Sequence, residues 1–349
     1  MSAQRSSLDG RKAMILRAIV SHYVSSGEPV GSKTIAEGYV TGVSAATVRN
    51  DMAALEDAGY IFQPHTSAGR IPTDAGYRFF VNAFASDAKL PPADRRRIRA
   101  FFIEPRWEFE DALRQTASLL SSCTDHAAVV FAPPLERSIV RHIELVALDG
   151  NRAMLVLVTD TGRVQNHVIL VPDDADDVML DETARMLNRL AAGVPLDAVA
   201  GTILGNLERL PLELRGPAER VGRVLADELT RTDAERVYLE GTSNIVDEDK
   251  FTDLETVRGV IGALEHRRAL LEMLADALAA DHVEVYIGSE IPIHEMQRCA
   301  VITAPYRSEG AAIGSLGIVG PTRMDYHRTM AAVQEVADSL GRMLASPSS

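Results

Sequence analysis

The first 72 residues constrain the fold most tightly. Three short helical periodicities are separated by glycine-bearing turns and followed by two β-prone stretches around a turn-forming pentapeptide. Ile15, Leu16, Ile19, Val20, Tyr23 and Val24 recur at helical spacing over Leu8–Ser26, with Arg11, Lys12 and Arg17 off that stripe. Gly27–Gly31 stops this helix, and Ser32 is expected to cap a second one reaching about Glu37. After a turn at Gly38–Val43, Ser44 caps a third helix that buries Val48, Met52 and Leu55 and ends at Gly59. Tyr60–Gln63 and Arg70–Pro72 read as antiparallel strands around His65–Gly69. Helices this short are marginal alone, so their apolar stripes must meet in one small core.

The remaining chain alternates differently. Asp74–Phe84 reads as one more short helix. Ser86–Arg99, with Pro91-Pro92 and Arg95-Arg96-Arg97, reads as a polar linker whose arginine run suits a solvated face or a phosphate contact. A helix at Trp107–Ser122 leads to a strand at Ala127–Phe131. Three strands follow, Ile139–Leu148, Ala153–Val158 and Val164–Leu170, joined by hairpin signals at Asp149-Gly150-Asn151 and Thr161-Gly162. Asp176 to about Arg231 is mostly helical, and Val237–Glu240 returns to strand. Thr252 and Glu255 have the spacing of a capping box that opens a long helix carrying Val257, Val260, Ile261, Leu264, Leu271, Leu274 and Leu278. Strands at Val283–Gly288, Cys299–Tyr306 and Ala312–Val319 precede a last helix marked by Tyr326, Met330, Val333, Leu340 and Leu344. Strands joined by hairpins with helices set apart predict an α+β chain with mostly antiparallel sheets.

Charge divides the chain. The net charge is −13, but residues 1–80 carry eight basic and seven acidic groups. The acidity belongs to the body and repels phosphate except where the near-neutral segment is presented. No apolar run is long enough to span a membrane, and Arg17 interrupts the early apolar stretch, so a cytoplasmic protein with no membrane association is expected. Cys123 and Cys299 match no metal or redox spacing. The nine histidines form no HExxH, and GxSxG is absent. Gly314-x-x-Gly317-x-x-Gly320 lies inside a strand pattern, which favours close backbone approach or a bulge over a phosphate loop. No catalytic, cofactor or metal site is expected.

The N-terminal pattern matches a winged helix-turn-helix. A helix fits the major groove of duplex DNA, and its polar face can read base edges. On the third helix the face opposite Val48, Met52 and Leu55 begins Ala46, Thr47, Arg49 and Asn50. Arg49 can fork onto guanine and Asn50 onto adenine. Spacing alone also allows Arg49 to pair with Asp51 or Glu56. Ser32, Lys33 and Ser44, at helix starts that attract phosphate, join these as DNA-contacting candidates. In the hairpin, His65, Thr66, Ser67 and Arg70 suit phosphate oxygens or the minor groove, although a plain turn has the same composition.

Four blocks carry a resemblance. They are Pro29-Val30-Gly31-Ser32; Val43–Met52 with Leu55-Glu56; Pro64–Thr73 with Gly76-Tyr77-Arg78; and Gly320-Pro321-Thr322-Arg323-Met324-Asp325-Tyr326, preceded by Val285–Glu290. With them the chain resembles, over essentially its whole length, the heat-inducible transcription repressors of the HrcA family. The resemblance implies a winged helix-turn-helix at 1–85, a linker at 86–106, a GAF-like α/β domain with mostly antiparallel sheet at 107–134 and 236–345, and an inserted α+β dimerisation domain at 135–235. It further implies a negative regulator of heat-shock chaperone operons that binds an inverted-repeat operator in double-stranded DNA as a homodimer. Its activity would be maintained by the chaperonin GroEL and lost on heat shock. GAF-like folds often hold small ligands, but no convergent polar set here names one. Two departures stand out: Ala45, where the family often has Pro, and the acidic Asp247-Glu248-Asp249.

Overall fold

A computed structural model describes residues 8–345 apart from 41, 67, 86–88, 104–108, 133–137, 150, 161–163, 174, 230–236, 246–253, 266–273, 275 and 309. The chain is α+β, and every strand pair among the described residues is antiparallel. Helices α1 (Gly10–Ser26), α2 (Ser32–Gly38) and α3 (Ala45–Asp57) precede a hairpin of β1 (Ile61–Phe62) and β2 (Ile71–Pro72). Ile15, Leu16, Ile19 and Val20 of α1 close on Ile35, Val48, Met52, Leu55 and Ile61, so the expected stripes are the ones buried. Gly27 ends α1 at φ 74° with its N–H returned to the Tyr23 carbonyl, a left-handed cap that suits glycine.

Two local expectations are corrected. Ser32 does not cap α2: Gly31 holds the cap position and Ser32 is the first helical residue. Val30 is fixed in a backbone bridge to Arg70, which leaves Gly31 to turn the chain into the helix. The segment read as a linker contains α5 (Pro92–Phe101), reached through α4 (Asp74–Phe80) and a π-helical turn at Val81–Ala85. Proline tolerates the first helical turn, where no N–H partner is needed, so Pro92 starts the helix rather than preventing it. Ile98 is its buried anchor, and Arg96, Arg97 and Arg99 face solvent.

After α6 (Phe109–Thr124) comes β3 (Ala127–Phe131). The next stretch builds its own unit: β4 (Val140–Ala147), β5 (Arg152–Thr159) and β6 (Val164–Leu170), then α7 (Asp177–Ala191), α8 (Leu196–Gly205) and α9 (Leu212–Leu229). Ile143, Leu155, Leu157, Leu187, Val199 and Val221 share a separate core there. Asn188 ties α7 to β4 by accepting the Ile143 N–H at 2.8 Å and donating to its carbonyl at 2.7 Å. Among the described residues the opposite face of this small sheet is uncovered: Val146, Val164, Val168 and Leu170 are 46%, 55%, 58% and 53% exposed. Register sets Val146, Met154 and Val168 in one row.

The chain then returns with β7 (Val237–Glu240), α10 (Leu254–Glu265), β8 (Glu284–Ile287), β9 (Cys299–Ser308), β10 (Ala311–Pro321) and α11 (Tyr326–Ala345). These strands and β3 form one sheet of order β7-β3-β10-β9-β8. Ala300, Ile302, Ala304 and Tyr306 of β9 face α6 and α11, while Cys299 and Val301 face Val260, Leu264 and Met296. The first of these cores is continuous with that of the N-terminal helices. The Gly314–Gly320 run lies within β10, where a Cβ at Gly314 would overlap the Tyr306 ring and the register shifts between Ala312 and Gly314. Gly150, Thr161, Gly162, Thr252, Leu271 and the acidic 247–249 triplet lie outside the described residues.

Candidate nucleic-acid interface

Helix α3 is built from its cap outward. Ser44 adopts an extended conformation and its Oγ accepts the Thr47 N–H at 3.1 Å, satisfying one of the donors a helix start leaves open. The Ser44 and Thr47 hydroxyls lie 2.9 Å apart, so this turn is held by two contacts. With Val48, Met52 and Leu55 inward, Ala46, Arg49 and Asn50 are exposed and Thr47 is half-buried.

Electrostatics around α3 decide which groups remain available. Asp51 is buried and accepts the Arg11 Nε at 2.7 Å and Nη2 at 3.2 Å, tying α1 to α3. This hydrogen bond and the opposite charge raise the Arg11 pKa. Glu56 Oε2 accepts Arg70 Nε at 3.1 Å and Nη2 at 2.8 Å. Both acids that sequence spacing offered to Arg49 are therefore occupied. Among the described residues Arg49 and Asn50 make no side-chain hydrogen bond or ion pair, and both point to solvent from one turn of α3.

In the hairpin, the Ala68 N–H reaches the His65 carbonyl at 2.9 Å. Gln63 Nε2 donates to the Thr66 and Ala68 carbonyls at 3.0 and 2.8 Å, which stiffens the tip. His65 and Thr66 are exposed there, and Ser67 lies outside the described residues. Val30 and Arg70 exchange backbone bonds of 3.0 and 2.9 Å, adding a third extended segment beside the hairpin. The Arg70 guanidinium, which the sequence offered to phosphate or the minor groove, lies on Glu56. Ser32 is half-buried, and Lys33 is exposed with its ammonium 3.9 Å from Glu37, a loose surface pair. The structure thus gathers Ser44, Ala46, Thr47, Arg49 and Asn50 at the start of α3 and leaves Arg70 as a brace. Sequence reading missed Arg11, although Asp51, three residues from Val48 on the inward side, signals an acid in need of a cation.

Among the described residues no cluster of His, Cys, Asp and Glu could hold a metal ion, and no helix is long and apolar enough to cross a membrane. Comparison with known proteins is decisive on kinship. The family model for the HrcA protein C terminal domain matches residues 110–330. The chain belongs to the HrcA family. It is 42% identical over 346 residues to the heat-inducible transcription repressor HrcA of Nocardia farcinica, covering 99% of each chain. It is 43% identical to that of Acidothermus cellulolyticus, over 97% of this chain and 99% of the relative. To that of Symbiobacterium thermophilum it is 37% identical, over 96% and 98%. HrcA is a family of transcription repressors, not of enzymes. A solved structure described as a hypothetical protein at 2.2 Å resolution shares the fold, with TM-score 0.68 and 24% identity over 98% of this chain and 100% of that one.

Proposed function

We propose that this HrcA-family chain represses heat-shock chaperone operons by setting α3 into the major groove of each half of an inverted-repeat operator. One observation carries the reading: a capped helix start exposes Ala46, Arg49 and Asn50 beside a half-buried Thr47, while Asp51 and Glu56 are already paired. Small residues let the backbone approach the groove, and Arg49 and Asn50 have the donor and acceptor geometry that guanine and adenine edges require. His65 and Thr66 at the hairpin tip, the wing of a winged helix-turn-helix, add backbone contacts. The second copy docks through the uncovered face of β4-β5-β6, where apolar side chains stand in solvent. On this reading residues 135–235 are the inserted dimerisation domain and the larger sheet belongs to a GAF-like domain. The chaperonin GroEL keeps the repressor active, and heat releases the operons by withdrawing that support.

The test is a gel shift of the purified chain on inverted-repeat and scrambled duplexes, with and without chaperonin. Retardation of the inverted repeat at a concentration that leaves the scrambled duplex free supports the reading. Equal retardation of both removes sequence recognition. Binding that chaperonin leaves unchanged at every temperature removes its part.

A further inference from the structure

Three stretches that sequence reading singled out, and that the DNA contact does not absorb, meet in space. Arg78 leaves α4 and crosses to the body, where its Nε donates to Glu290 Oε1 at 2.7 Å. Its Nη2 donates both to Glu290 Oε2 and to the Val285 carbonyl. Glu290 is held for this by the Ile287 N–H at 2.9 Å. From the same turn of α4, Asp74 Oδ2 accepts the Ser289 N–H at 3.0 Å. Gly288 permits that approach: its φ is +54°, and a Cβ there would run into the Asp74 carboxylate. Between these contacts Tyr77 packs against Tyr326 with the rings tilted by 46° and their centroids 5.7 Å apart, and Phe80 meets His327 edge-on at 5.2 Å. Arg323 lies against Gly27 at the end of α1.

We infer that the Arg78–Glu290 clamp, with Asp74 on the Ser289 amide, fixes the angle of the N-terminal head on the body and thereby sets the half-site spacing the dimer reads. The inference rests on the DNA-binding reading above. A bidentate arginine–carboxylate pair fixes orientation as well as distance, because both groups are planar and share two bonds. Here it is completed by the Val285 carbonyl and by the Ser289 amide donating to Asp74. These contacts hold the head to the body over a sequence separation of 212 residues. A dimer presents two recognition helices at a separation set by its own interface and by this joint. Each added base pair rotates a half-site by about 35°, since a turn holds about 10–10.5 pairs. The shared apolar core keeps head and body together without the clamp but fixes rotation less tightly than paired directional bonds do, so each α3 can then follow part of that rotation. Arg78, Glu290 and Asp74 are positioning residues; they touch no base.

The experiment measures affinity for one isolated half-site and for inverted repeats whose central spacer is lengthened or shortened by two and by five base pairs. The full-length chain is compared with Glu290→Gln, Arg78→Met and the exchange Arg78→Glu/Glu290→Arg. The parent chain is expected to lose about tenfold or more when the spacer is moved by half a turn, about five pairs. Glu290→Gln and Arg78→Met should bind the isolated half-site as the parent does, yet show a spacing profile flattened to less than about threefold. The exchanged pair restores the ion pair but not the bonds to the Val285 carbonyl and the Ile287 N–H, so it should recover the sharp profile only in part. A profile of unchanged shape in both single variants overturns the inference. So does a uniform loss at every spacing, which marks a merely structural role. A parent chain that binds no inverted repeat overturns the DNA-binding reading itself.

Discussion

Arg49 is available because its neighbours are not. Arg11 holds Asp51 and Arg70 holds Glu56, which leaves one guanidinium on the exposed turn of α3 without a partner among the described residues. Arg49→Ala should therefore lose about 1–3 kcal/mol of discrimination at one base position, the value of a bidentate base contact. Competition with duplexes substituted position by position measures it; equal weakening on random DNA would reassign Arg49 to phosphate. Arg70 invites a sharper comparison. If it acts by bracing the hairpin against Glu56, Glu56→Gln and Arg70→Ala should weaken operator binding by similar factors. A loss confined to Arg70→Ala, with a shallower salt slope, would make Arg70 a phosphate contact. Deeper in the body, burial at the start of β9 among Val260, Leu264 and Met296 pushes the Cys299 thiol up to about 12. Its folded pKa lies above the unfolded value, so its contribution to stability is complete below about 9 and lost as pH rises toward about 12. Near pH 8 Cys299 should resist iodoacetamide in the folded chain and react once heat or urea opens it, as mass spectrometry of the alkylated peptide would record.

At the scale of elements, what sequence made legible followed from local periodicity. The stripes of α1 and α3, the Ser44 cap and the turn between β1 and β2 depend on residues a few positions apart, and they form as expected. The strands of both sheets were readable for the same reason. Helix α5 was not, because Pro91-Pro92 and four arginines resemble a linker until Ile98 has a core to enter. The Arg70–Glu56 brace and the Arg78–Glu290 clamp were hidden for another reason: a charged side chain carries no periodic mark of its partner. The uncovered face of β4-β5-β6 yields its own expectation. Val168→Asp places a carboxylate in the exposed apolar row without touching the core behind it. It should leave circular dichroism and the melting curve near those of the parent while sedimentation shifts to the monomer. A variant that still sediments as a dimer would move the interface elsewhere.

For the whole molecule, two cores matter more than the sequence of elements. The N-terminal helices share one continuous apolar interior with α6, α11 and one face of the larger sheet, whereas β4-β6 and α7–α9 enclose their own. Scanning calorimetry should therefore show the head melting together with the larger sheet, and the inserted unit able to melt apart from it. A separate low-enthalpy transition for the head would contradict this coupling. Unfolding enthalpy grows at about 0.7 kcal/mol per residue near 60 °C, and the steepness of a melting curve grows with it. A head that loosens only with the trunk should therefore lose its shape over a narrow span of temperature, a thermostat rather than a dimmer, and the chaperonin support proposed above would act on that sharp transition.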